Sequence, residues 1–168
     1  MSYTTREYTA TITATLSQIR SMSTAHGAAY RTLNENLSGP VSQVLFNPVT
    51  SAAWGALVGR VLVGKAVPIA SAGYFMAELV NYMNSTAKEL HKNKILGGRR
   101  IIDDELIPFL ENGKYTAVEA EFLFLEHNLG SGNSARFIQG PHTGGSPVPP
   151  GTYIVKRVQT SSGQWIIL

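Results

Sequence analysis

The side chains of this chain best suited to proton transfer near neutral pH are four histidines, His26, His91, His127 and His142, and they are scattered. No HExxH or other metal-ligand spacing links them, and Glu126-His127 are neighbours whose side chains would point apart on a helix. The absence of cysteine excludes thiolate nucleophiles, thiolate metal sites and disulfides. Carboxylates cluster at 103–105 and at 119–126, where an acid pair could in principle form. The first group reads more simply as charge at a helix N-terminus, and the second as a solvated helix face. Gly130-Ser131-Gly132 lacks the Lys-Ser/Thr of a phosphate-binding loop. The expectation is therefore a protein that is not an enzyme and carries neither metal nor cofactor.

A basic cluster is the stronger chemical signal. Lys88, Lys92, Lys94, Arg99 and Arg100 face only Glu89 within residues 88–100. On a helix Lys88 and Lys92 share a face, and such a cluster could hold a nucleic-acid backbone by charge without reading its sequence. The simpler reading is a solvated helix end whose cations complement the helix dipole. Charge is also unevenly divided. Residues 1–100 carry ten Lys/Arg and four Asp/Glu, whereas residues 101–168 carry four and seven, so a basic front meets an acidic rear. The two could neutralise each other within one fold or between neighbouring subunits.

The segment Ser146-Pro147-Val148-Pro149-Pro150-Gly151-Thr152-Tyr153-Ile154-Val155 resembles the TPxGTYxI stretch of L,D-transpeptidase-like peptidoglycan enzymes. In that family the stretch precedes a His-Gly and a Ser-His-Gly-Cys motif that carries the nucleophile. This sequence has no cysteine and no histidine after His142, so the resemblance implies a Pro-rich turn entering a strand and not the activity.

The elements that would position these residues read as mostly helical. Ile12, Leu16, Ile19, Ser23, His26, Tyr30, Leu33 and Leu37 alternate at spacings of four and three, which predicts a helix over 5–37 with a coiled-coil-like seam. Asn47-Pro48 starts a second helix to about 66, and Pro68 separates it from a third over 69–95. Thr86 and Glu89 have capping-box spacing, with Asn84-Ser85 as an alternative fresh start, and Gly97-Gly98 closes the segment. Further helices are expected over 103–111 and 117–129, the latter from the Thr116–Glu119 box and the apolar series Val118, Phe122, Leu125 and Leu129. A strand reading of Glu121–Leu125 stands as the alternative. From Gly130 the chain turns rich in Gly, Ser and Pro, with a short strand at 135–139. TYIVKRVQ and QWIIL around Thr160–Gly163 then predict a β-hairpin. The fold class that follows is mainly α with a small C-terminal β-hairpin. In this α+β reading a helical-bundle body over 1–129 carries an extended arm over 130–168.

Charged residues make up only 15% of the 168, against roughly 25% in an average soluble domain. Small residues fill the difference and allow close contact between backbones. Together these features predict a structural subunit of a large homo-oligomer, of the kind that builds a viral or phage capsid or filament. Its location would be the virion, or otherwise the cytoplasm. Its subunit contacts would run through Ile12, Leu16, Ile19, Tyr30 and Leu33 of the seam and through Trp165, Ile166, Ile167 and Leu168, with enclosed nucleic acid on the basic cluster. The alternative is a membrane-active protein that inserts residues 48–83 as a helical hairpin, since the apolar stretch 52–83 within them is long enough for one. Arg60 would lie deep in lipid in that reading, at a cost of roughly 2.5–3.5 kcal/mol or more. A pair of core helices in a protein assembly fits the stretch better than a pore-forming or virion-membrane insertion.

Overall fold

A computed structural model describes residues 4–35, 79–128, 134–140 and 152–168. The helix expected over 48–66, residues 69–78 of the one expected over 69–95 and most of the apolar stretch 52–83 lie outside these residues, as does the Gly/Pro-rich segment 141–151. No helix among the described residues is long and apolar enough to cross a membrane.

The chain opens with a strand, β1 (Thr4–Thr15), where a helix was expected. The Tyr, Thr and Ile side chains favour a pleated backbone, and β1 buries its residues at a period of two. The seam read from the sequence crosses an element boundary. Ile12 belongs to the strand, whereas Leu16 and Ile19 belong to helix α1 (Leu16–Glu35). The boundary is a reciprocal capping box. The Gln18 amide donates to Thr15 Oγ1 at 3.1 Å, and the Thr15 amide donates to Gln18 Oε1 at 2.9 Å. α1 turns Ile19, Met22, His26, Ala29 and Leu33 into the core, a helical stripe.

A long helix further along the described residues, α2 (Ser85–Arg100), packs along α1. Its N-cap is Asn84, the alternative start, whose side chain accepts from the Ala87 amide at 2.8 Å. Replacing Asn84 with alanine is expected to cost about 1 kcal/mol, read as a lower urea midpoint, with aspartate at the same position close to neutral. Gly97-Gly98 does not end the helix. The helix continues through a wide π-helical turn (Ile101–Leu106) into α3 (Ile107–Asn112). The Ile107 amide donates to the Ile102 carbonyl five residues back, and Pro108, which has no amide to donate, follows directly. The wide turn puts Ile101, Ile102 and Leu106 in the core.

The largest correction concerns 117–129. This segment is strand β2 (Ala117–Asn128), the hub of the sheet. The Thr116 hydroxyl, read as a helix cap, instead donates to the carbonyls of Gln159 and Thr160 at 3.4 and 3.2 Å. Val118, Ala120, Phe122 and Phe124 alternate into the core as a strand's residues do. β2 pairs with β1 over its whole length. Its other edge is shared, with β3 (Ser134–Ile138) against residues 124–128 and β4 (Tyr153–Gln159) against residues 117–122. β5 (Trp165–Ile167) pairs with β4, and every pairing is antiparallel. The fold is thus α+β, with two helices packed on a five-stranded antiparallel sheet, and not a helical bundle with a small hairpin arm. The expected hairpin forms, but as a member of the same sheet as β1 and β2.

Candidate functional site

Where the fold brings potentially reactive groups together, it buries them or pairs them. His26 on α1 is fully buried, with Nδ1 at 2.8 Å from the Met22 carbonyl and Nε2 at 3.2 Å from the Ile138 carbonyl. A neutral imidazole donates to only one of these, and burial lowers the His26 pKa to about 4. Both ring nitrogens face backbone, so His26 cannot relay a proton from Ser23, whose hydroxyl donates to Asp103. His127 on β2 lies 5.0 Å, centroid to centroid, from His91 on α2. Burial lowers the His127 pKa to about 3 and lowers that of His91 as well, the latter assisted by Lys94.

Several carboxylates are engaged as well. Buried Glu126 on β2 pairs with Arg6 and accepts from the Tyr8 hydroxyl at 3.2 Å. Burial and Glu105 raise the Tyr153 pKa to about 12. A cavity of about 380 Å³ touches Thr9, Glu121, Gln139 and Tyr153, and no histidine among the described residues lines it. Among the described residues no three histidine or carboxylate side chains converge as metal donors.

The basic cluster is drawn into the fold piece by piece. Lys92 pairs with Glu89 and donates to Asn34 at 3.1 Å. Lys94 pairs with Glu7 of β1 and holds the Glu7 pKa low. Arg99 lies 3.3 Å from Asp103, with its guanidinium packed over Gly27 of α1. Lys88 and Arg100 are half-buried. The basic front and the acidic rear therefore meet within one chain at Arg20–Glu111, Arg6–Glu126 and Arg99–Asp103.

The expected contact residues divide into two groups. Ile19 and Leu33 lie in the chain's own core, and Ile12, Leu16 and Tyr30 pack partly buried against it. The C-terminal group behaves differently. Ile167 is 83% exposed, Leu168 60% and Ile166 39%, and Ile154 of neighbouring β4 is 51% exposed. Trp165 is half-buried beneath the Arg157 guanidinium, 4.4 Å from the ring centre.

No family model, curated protein or solved structure matches this chain. Function has to be read from the surface itself.

Register places that surface. Thr13, Glu119, Arg157 and Ile167 form one row across four strands, and Thr11, Glu121 and Ile154 form the next. This outer face is polar towards β1. Arg157 donates to Glu119 at 2.9 Å, and Lys156 donates to Thr11 at 2.9 Å. It turns apolar towards β5. Ile166 lies on the opposite face, in the row of Ala14, Val118 and Val158, so β5 exposes branched apolar side chains on both faces. The Leu168 amide donates to the Lys156 carbonyl at 3.1 Å, which turns the backbone of Ile167 towards the open edge. The sequence pointed to β5 through QWIIL but missed Ile154, which lies in an alternating strand that looked ordinary.

Proposed function

We propose that this protein is a non-enzymatic structural subunit of a homo-oligomer, with the β5 edge as one of its contact surfaces. The observation that carries this reading is Ile167, exposed near Leu168, Ile166 and Ile154 on a sheet edge that no strand among the described residues pairs with. Folded monomers blunt such edges with charge, proline or cover. Here the described edge ends in apolar side chains that a neighbouring subunit would cover. The low charge of the whole chain supports the same reading, and a viral or phage shell or filament is the kind of assembly it fits. The basic cluster supports nucleic-acid contact less than its charge suggests, because Lys92, Lys94 and Arg99 are each paired with a carboxylate.

The test is Ile167→Lys, followed by size-exclusion chromatography with light scattering. Burying an isoleucine side chain contributes about 1.5–3 kcal/mol, so each contact should weaken at least tenfold and the particles should fall to smaller species. A wild-type protein that elutes as an 18.2 kDa monomer at tens of micromolar would overturn the proposal.

A further inference from the structure

We infer that β1 pairs with β1 of a second copy, antiparallel about Ala10, joining two five-stranded sheets into one across a two-fold axis. The inference deepens the assembly reading and rests on it. Among the described residues β1 has no strand on its outer side, and it pairs with β2 over twelve residues without a bulge. It carries no proline and no lysine, and its two charged residues are already engaged, Arg6 with Glu126 and Glu7 with Lys94. Among the described residues neither proline, lysine, a bulge nor a covering strand protects this edge. A strand this long and regular is a template for another strand.

The side chains choose the occupant and the register. Centred on Ala10, the inward face sets Tyr8 opposite Ile12 of the second copy, twice over, with Ala10 facing Ala10 between them. Aromatic–β-branched pairs of this kind favour antiparallel strands. Tyr8, Ala10 and Ile12 pack against the core but remain only partly buried, so the second copy would complete their cover. On the other face Thr9 meets Thr11, Glu7 meets Thr13 and Thr5 meets Thr15, so no like charges oppose each other. Centring on Thr9 would set Arg6 against Ile12, and centring on Thr11 would set Tyr8 against Ala14 and lose the aromatic pair. A slip to a centre between two residues would oppose inward with outward side chains. Each copy presents the same surface to the other, which closes as a two-fold dimer. The β5 edges then remain free to link dimers.

The experiment separates the two contacts by light scattering on the full chain. Ile167→Lys is expected to leave a dimer. Adding Thr9→Lys and Thr11→Lys sets lysines opposite each other and should convert that dimer to monomer. Thr9→Lys with Thr11→Glu sets each lysine opposite a glutamate and should restore the dimer. The chain has no cysteine, so Ala10→Cys alone should give a disulfide-linked dimer on oxidation, whereas Thr13→Cys, opposite Glu7, should not. This cross-link decides the matter if the lysine variant fails to fold. An Ile167→Lys protein that is already monomeric while wild type assembles would overturn the β1 pairing and leave the assembly reading standing. A monomeric wild type would overturn both.

Discussion

Replacing Gly98 with alanine should destabilise the protein by on the order of 3 kcal/mol or prevent it from folding. A Cβ at Gly98 would sit 1.6 Å from the Ile138 carbonyl oxygen, and one at Gly140 would sit 2.2 Å from the Gly97 carbonyl carbon. Backbone meets backbone here. The Gly140 amide donates to the Lys94 carbonyl at 3.1 Å, and the same Ile138 carbonyl lies against His26 of α1. Alanine gains about 1 kcal/mol in helix propensity over glycine, but no side chain can rotate to relieve a clash with a carbonyl. The helix would have to move off β3, and sterics wins. Gly27 provides the control. A Cβ there meets the tip of the Arg99 side chain at 2.7 Å, and that side chain can swing away. Gly27→Ala should stay within about 1 kcal/mol of wild type, so urea midpoints for the two variants should separate clearly. Equal midpoints would show that the contact between α2 and β3 tolerates displacement.

Acid should weaken the fold well before its carboxylates titrate. His26 and His127 are held neutral by burial, at about 4 and about 3, against an ordinary value of 6.5. The unfolded chain therefore binds protons that the folded chain refuses. Their contribution is fully present above pH 6.5 and is lost as pH falls from there towards the folded values. Each contributes on the order of 3 kcal/mol over that range. His91, also depressed, adds in the same direction. The neighbouring charges are Arg99 and Asp103 at His26, and Lys94 and Glu7 at His91. Between pH 6.5 and 5 the histidines act with little contribution from carboxylates, so this window isolates them. Chemical denaturation at steps of half a pH unit should show stability falling steeply with acidification. A His127→Phe variant should flatten the slope by about one proton's worth. An unchanged slope would mean that His127 is protonated in the folded protein.

The hairpin was legible because its alternation and Gly163 turn are local, and Gly163 has φ of 87°, which glycine adopts without strain. β1 and β2 were misread for a shared reason, since each contains an apolar spacing of three or four that mimics a helix. In the first case the series Ile12, Leu16, Ile19 straddles the turn from strand to helix. In the second, Val118, Phe122 and Leu125 fit a helix face, while Ala120 and Phe124 complete a period of two that the alternative strand reading of Glu121–Leu125 covers only in part. Capping boxes misled equally. The boxes at 86–89 and 116–119 do not cap helices, while Thr15–Gln18, with the same spacing, does. Spacing alone does not tell a cap from a strand end, because the hydroxyl's partner depends on tertiary contacts. The same limit applies to Gly97-Gly98, which marks where β3 crosses a helix and not where the helix stops. On the candidate site, the sequence identified the apolar β5 edge. Of the charge pairs that disperse the basic cluster, Lys92–Glu89 and Arg99–Asp103 are local, whereas Lys94 pairs with Glu7 of a distant strand, which no local pattern announces.

The pairing of β1 with β2 joins Arg6 to a residue 120 positions later. A ribosome adding about 5–20 residues per second leaves the first strand waiting many seconds for the strand that completes it. Until then its backbone is open on both sides. Closing so long a loop is slow after synthesis as well. The nascent chain thus needs a chaperone, or dilution from its siblings, more than a helical protein of the same length would.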